Sequence, residues 1–185
     1  MQIFHTADEL IAHLRFLAST PSVEDTRLTE LDHGLQCAAL LQQRHPEDLE
    51  LQIAGLIHDL AHPWDEPGQP RHAAMGAKAV RTQLGDRVAE LIAGHVAAKR
   101  YLVTVDPDYR RRLSPDSVAT LAAQGGNLSP TQVEGFRAQP YSEMVIELRR
   151  ADDDAKVVGA VVPGLDQWLG VVTALWRGGP AASPV

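Results

Sequence analysis

The sequence predicts an all-α fold, a helical bundle. Three observations carry that expectation. Apolar residues recur at helical spacing along most of the chain, Pro, Gly, Ser and Thr stand where helices should begin or end, and the one β-branched run, Val157 to Val162, is short. With 185 residues, 44% of them hydrophobic, the chain can bury a sizeable core. The expected organisation is one domain over residues 1–177 and a flexible tail over 178–185.

The elements follow in order. Thr6-Ala7-Asp8-Glu9 reads as a capping box opening a helix to about Ser19, with Leu10, Ile11, Leu14 and Leu17 as its apolar stripe. A polar connection runs from Pro21 to Thr26. The second helix spans about Leu28 to Gln43, with Leu28, Leu31, Leu35, Ala38 and Ala39 on one face, His33 beside it and Cys37 as small core filler. Pro46 opens a third helix and Pro63 closes it, which puts His58 and Asp59 in its last turn. A Pro- and Gly-rich loop leads to a fourth helix from Arg71-His72 to Gly85. The fifth runs from Asp86 to about Leu102, with Val88, Leu91, Ile92 and His95 inward and Lys99 one turn beyond His95. Ser114-Pro115 caps a short helix that Gly125-Gly126 ends, and Ser129-Pro130 repeats the signal. Two more helices span about Tyr141 to Asp154 and Leu165 to Arg177.

Composition bounds the function. A net charge of -7 argues against nucleic acid or an anionic membrane as partner of the whole surface. No apolar run reaches membrane-spanning length. The single cysteine excludes an internal disulfide and fits a reducing compartment. Met1 to His5 lacks the layout of a signal peptide. The expectation is a cytoplasmic protein, monomer or homodimer, with no nucleic-acid or membrane partner.

The chemistry centres on His58-Asp59. An unpaired carboxylate on an apolar helix is costly, and a metal ion removes the cost; a His–Asp hydrogen bond at a helix end is the plainer alternative. The wider pattern favours metal. His33, His58, Asp59, His72, His95 and Asp152 all border apolar faces, whereas His5, His13 and His45 read as solvated surface. Six donors exceed the needs of one ion and suit two. Asp59 is the natural bridge, with His33, His58 and Asp152 on one ion and His72 and His95 on the other, which stays open to water or substrate. Four imidazoles and two carboxylates suit iron or manganese better than magnesium; zinc is also compatible.

The order His33…His58-Asp59…Asp152 resembles the HD-domain superfamily, most of whose members are metal-dependent phosphohydrolases. A longer match resembles the mixed-valent di-iron oxygenases, and within them the 2-amino-1-hydroxyethylphosphonate dioxygenases, over about residues 28 to 156. It is carried by Leu31 to Ala38, the His58-Asp59 stretch with His62, Gly94 to Leu102, Ser114 to Gly126, and Leu148 to Lys156. The resemblance selects Asp152 among three successive acids, with Asp153 as the alternative and the rest solvated. It implies two iron ions, Fe(II) and Fe(III), with O2 as co-substrate. It also implies a small phosphonate held by His62, Lys99, Ser117, Thr120 and Arg149, His62 and Lys99 being catalytic as well. Fixed cations and hydroxyl donors suit such a dianion. The chain departs from the family upstream of His33. Val23 and Thr26 stand where the family has a Tyr and a Glu, and Glu24 and Asp25 are out of register. The resemblance therefore carries the metal ligands and the phosphonate pocket but not an amine-bearing substrate.

The implied reaction is oxidative cleavage of the C–P bond of a 1-hydroxyphosphonate, giving phosphate and a carboxylic acid. The alternative is an HD phosphohydrolase acting on a nucleotide or small phosphate ester through a two-metal site. Aromatic residues make up only 5% of the chain, and no cluster is assignable to a base, which weakens that alternative. A metal- or ligand-sensing module would need an output domain that the sequence does not display.

Overall fold

The computed structural model describes residues 2–23, 25–66 and 71–178. Residues 179–185 of the expected tail, Glu24 and residues 67–70 of the Pro- and Gly-rich loop lie outside them. The described residues form α1 (Ala7–Leu17), α2 (Glu30–Arg44), α3 (Leu49–Ile57), α4 (His72–Val105), α5 (Pro107–Arg112), α6 (Pro115–Ala123), α7 (Pro130–Arg137), α8 (Ser142–Asp154) and α9 (Leu165–Leu175). Among them an isolated β-bridge pairs Pro21 with Thr29. The fold is all-α, as expected. No helix among the described residues is long and apolar enough to cross a membrane.

The caps explain the boundaries. Thr6 accepts from the Glu9 backbone, but the Glu9 carboxylate reaches back to the His5 N–H, so the box closes one residue early. Thr29 and Asp32 form a complete box at α2, two residues past the expected start. Ser114 and Ser129 cap α6 and α7, each with Pro at the first position. Gly125 and Gly126 both take positive φ, which ends α6 as expected. The short helix α5, capped by Asp106, had no counterpart in the sequence reading.

Two expectations need correction. The third helix ends at Ile57, so His58 is its C-cap and Asp59 lies beyond it. The amides of Leu60, His62 and Trp64 bond to carbonyls three residues back, making a tight turn that runs into a short 3-10 helix, His62–Trp64. Pro63 is the cause: it disfavours α geometry at His62 and cannot donate. Second, His13 is buried. Its Nε2 donates to Leu60 O at 2.7 Å and its ring packs on Phe4 and Trp64. It lies three residues after Leu10 and four before Leu17, on the inner stripe of α1.

The fourth and fifth predicted helices form α4, broken at Gly85 (φ 89, ψ 170), where the break was expected. A Cβ there would meet the Arg177 guanidinium, so the end of α9 docks against the break. The core runs through α1, α2, α3, α4, α8 and α9, with Leu14, Leu41, Ile53, Leu91, Leu148 and Trp168 buried. The α2–α3 crossing is very close, because Gly34 faces the Leu56 carbonyl. That crossing places His33 beside His58, and α4 and α8 close the other sides.

Candidate metal centre

The six expected donors converge in the core, each 8% exposed or less. His33 comes from α2, His58 from the C-cap of α3 and Asp59 from the turn after it, His72 and His95 from the two halves of α4, and Asp152 from α8. On one side, Asp59 Oδ2 lies 3.2 Å from His58 Nε2 and 3.5 Å from His33 Nε2. Asp152 Oδ1 lies 3.2 Å from His33 Nε2 and 3.7 Å from His58 Nε2. On the other side, Asp59 Oδ1 lies 3.5 Å from His95 Nε2 and 3.6 Å from His72 Nε2. The paired Nε2 atoms are 3.2 Å apart in both cases, His33 with His58 and His72 with His95. Asp59 thus presents one oxygen to each imidazole pair.

The ring orientations have local causes. His33 Nδ1 donates to Ala155 O, His58 Nδ1 to Gly55 O and His95 Nδ1 to Ile92 O, at 2.7–2.8 Å. His72 Nδ1 is 2.8 Å from Asp65 Oδ2. A carbonyl only accepts, so these bonds fix the proton on Nδ1 and turn Nε2 toward the centre, as in metal-ligating histidines. The donor set fits ions. Nitrogen and oxygen donors at about 2.0–2.2 Å from a common ion stand roughly 3–3.6 Å from one another. Asp59 Oδ1 and Asp152 Oδ1 are buried without a hydrogen-bond partner among the described residues, a costly state that a cation relieves.

Electrostatics agree. Burial opposes charge on both carboxylates, yet the surrounding imidazoles hold Asp59 well below the usual carboxylate range, and Arg149, Lys156 and His58 do so for Asp152. Burial also opposes charge on the imidazoles, but Asp152 and Asp59 lift His33 to about 10 and raise His58 as well. Burial pushes His95 down to about 3. Bound cations take the place of the protons held between these groups.

No family model matches the chain. Hydroxymethylphosphonate dioxygenase of Gimesia maris is 35% identical to it over 156 residues, 80% of this chain and 77% of that protein. The chain belongs to the phosphonate dioxygenase family. The glycine-betaine-forming 1-hydroxy-2-(trimethylamino)ethyl phosphonate dioxygenase of Leisingera caerulea is 30% identical, over 76% of this chain and 74% of its own length. Uncharacterized protein L432 of Acanthamoeba polyphaga mimivirus is 29% identical, over 76% of this chain and 68% of its own length. As a phosphonate dioxygenase the chain is an oxidoreductase, and the buried His/Asp cluster supplies the metal site that O2 chemistry calls for.

A cavity of about 120 Å³ opens beside Asp59, His72 and His95. Its wall includes His62, Thr120 and Arg149, three of the five residues expected to bind substrate. Lys99 is 1% exposed and its Nζ donates to Thr120 Oγ1 at 2.7 Å. Ser117 is fully buried one turn before Thr120, outside the cavity wall. His62 Nε2 lies 3.5 Å from Asp59 Oδ1, as near as the Nε2 atoms of His72 and His95. Burial lowers its affinity for a proton, but Asp59 and Glu30 outweigh that and raise it to about 9. A protonated imidazole suits an anion better than a cation, in line with the substrate role.

Asp152 is the acid that faces the centre; the alternative, Asp153, does not. Asp153 is not solvated either: it bonds to Arg149 and accepts from Tyr109 Oη at 2.5 Å. Arg149 is 2% exposed, its Nη1 2.7 Å from Asp152 Oδ2 and its Nε 3.1 Å from Tyr109 Oη. A larger cavity of about 510 Å³ lies behind that network, lined by Tyr109, Asp153, Arg44 and Arg150. No imidazole lines it, and Arg44 and Arg150 are paired with Asp154 and Glu147, whereas the smaller cavity adjoins the imidazole cluster.

Sequence reading missed Glu30 and Asp65. Glu30 Oε1 is 3.1 Å from His62 Nδ1, and Asp65 backs His72. Glu30 had a readable signal, standing three residues before His33 on the same helix face. Asp65 had none, since only the fold brings it to His72.

Proposed function

We propose that the protein uses O2 to cleave the C–P bond of a small 1-hydroxyphosphonate at a di-iron centre. For hydroxymethylphosphonate the balance is one substrate and one O2 to one formate and one phosphate. The observation that carries this reading is Asp59, with one carboxylate oxygen toward each imidazole pair, beside a pocket walled by the buried Arg149 and by Thr120, to which the buried Lys99 is bonded. His33, His58 and Asp152 would hold one iron and His72 and His95 the other, with Asp59 shared. Bound there, an Fe(II)/Fe(III) pair supplies the redox chemistry that O2 requires and that no side chain can.

The rest is the work of the protein's own groups. Lys99 and Thr120 together offer a cation and a hydroxyl to phosphonate oxygens, and Arg149 adds a second cation from the Asp152 side. Ser117, one turn earlier on the same helix, backs Thr120, whose hydroxyl is 3.3 Å from the Ser117 carbonyl oxygen. His62, holding its Nδ1 proton on Glu30, offers Nε2 to the substrate at the open side of the centre. Burial of the cluster excludes bulk water, which strengthens every charge contact there. Residues 1–177 acting as one HD-type domain are part of this proposal, supported by the continuous core.

Substrate size follows from position 23. Val23 lines the cavity, so the chain offers neither a phenol nor a carboxylate there. Thr26 is exposed. A substrate without an amine suits such a wall, and the Gimesia relative is named for hydroxymethylphosphonate. The test is to load the protein with iron, add hydroxymethylphosphonate, and follow phosphate, formate and O2. Equimolar O2 uptake and phosphate release are expected. Equal release under argon would reject the oxygenase and favour a hydrolase.

A further inference from the structure

Glu30 is 3% exposed and sits in the first turn of α2. Its Oε1 accepts twice, from the Val23 backbone N–H at 2.9 Å and from His62 Nδ1 at 3.1 Å. Its Oε2 is buried with no hydrogen-bond partner among the described residues. A buried carboxylate with an unused oxygen is a poor choice for stability alone.

The two groups that share Oε1 belong to different parts of the site. Val23 lies in the 20–29 loop and its side chain lines the cavity. That loop is pinned at its base by Glu30 N to Thr20 O and Ser22 N to Leu28 O, both 2.9 Å, and its far end carries the exposed Arg27. His62 faces Asp59 Oδ1 and stacks edge-on against His72, with ring centroids 4.1 Å apart. One oxygen therefore sets both the mouth of the cavity and the imidazole at its floor.

We propose that Glu30 is a positioning residue that ties the mouth loop to His62 and so sets how large a substrate the cavity accepts. The substrate part rests on the function proposed above; the tie itself does not. With its Nδ1 proton committed to Glu30, His62 keeps Nε2 toward the cavity. With Val23 held, the wall opposite the centre stays close, and a group carried on C1 of a 1-hydroxyphosphonate meets it.

The test compares Glu30→Ala, Glu30→Asp and Glu30→Gln with the parent protein. Asp is one methylene shorter and cannot reach both partners; Gln keeps one acceptor oxygen at full reach. Two readouts use chelated, metal-free protein. Proton–nitrogen NMR of the imidazoles is expected to find a hydrogen-bonded, slowly exchanging Nδ1–H on His62 in the parent and in Glu30→Gln, and a fast-exchanging one in Glu30→Ala and Glu30→Asp. Trypsin cleavage after Arg27 is expected to speed up about 10-fold in the Ala and Asp variants, with other sites unchanged. The third readout uses iron-loaded protein. The preference in kcat/KM for hydroxymethylphosphonate over 1-hydroxyethylphosphonate is expected to fall about 10-fold in the Ala and Asp variants, at parental iron content. If Glu30→Ala does not fold, Glu30→Asp decides. A parental His62 spectrum, trypsin rate and substrate preference in Glu30→Asp would overturn the inference. If the parent turns over neither phosphonate, the function proposed above fails, while the first two readouts still decide the tie.

Discussion

Gly34→Ala probes how the helix crossing builds the centre. A Cβ at position 34 would stand 2.3 Å from the Leu56 carbonyl oxygen and 3.3 Å from its carbon. Ordinary carbon–oxygen contact begins at about 3.3 Å, so α2 and α3 must part by roughly 1 Å. The obstacle is helix backbone and cannot rotate away, which puts the strain in the upper part of the ~1–3 kcal/mol range for overpacking. Alanine returns about 1 kcal/mol in helix propensity. The net loss is about 1–2 kcal/mol, which for a chain of this size lowers Tm by roughly 2–8 °C. The functional loss is larger, because His33 adjoins Gly34 and His58 follows Leu56 by two residues, with their Nε2 atoms 3.2 Å apart. A 1 Å misplacement of donors costs about 100-fold in rate. Thermal melts, iron analysis and phosphate release on one preparation measure all three effects. Gly170→Ala in α9 is the control: its Cβ meets nothing within 4 Å, so stability should rise slightly and activity stay constant. A Gly34→Ala protein with parental iron content and turnover would refute the reasoning.

Further predictions test the pocket and the electrostatics. Lys99→Met removes a buried cation bonded to Thr120, and loss of one charged hydrogen bond should raise KM for the phosphonate roughly 10- to 100-fold at unchanged iron content, measured by steady-state kinetics. Asp65→Asn weakens the support of His72 and should lower affinity for one of two iron equivalents about 10- to 100-fold in a chelator competition. In chelated protein, His33 and His62 bind protons more tightly folded, at about 10 and about 9, than at the ordinary 6.5. Their stabilisation is whole below 6.5 and is lost as pH climbs through 9 to 10, so Tm of the metal-free chain should fall over that window. Asp59 and Asp152 are held below their ordinary value, so stability should also drop as pH falls below about 4. Melts from pH 3 to 10 measure both limbs, and a flat profile above pH 7 would contradict the first.

Much of this was legible in the chain because the governing signals are local. Caps at Thr6, Ser114 and Ser129 and the break at Gly85 are short-range features, and they fell within a residue or two of their expected places. The six donors were legible because polar residues on apolar stripes need partners. The missing parts depend on distant contacts. The carbonyls of Ala155, Gly55 and Ile92 that orient the imidazoles carry no side-chain identity and cannot be read from sequence. Glu30 was readable as an acid one turn before His33, but its partner, His62, stands 32 residues away and only the fold brings the two together. Asp153 looked solvated because a run of three acids cannot all face one site, but Arg149 and Tyr109 gave it a second place to point. His13 was expected at the surface, although its spacing to Leu10 and Leu17 put it inside.

The central claim is that two ions share the Asp59 carboxylate. Anomalous X-ray diffraction at the iron edge from crystals of iron-loaded protein tests it directly. The account predicts two iron peaks, one on each side of Asp59, the first among His33, His58 and Asp152 and the second between His72 and His95. A single peak, or iron bound away from Asp59, would contradict it.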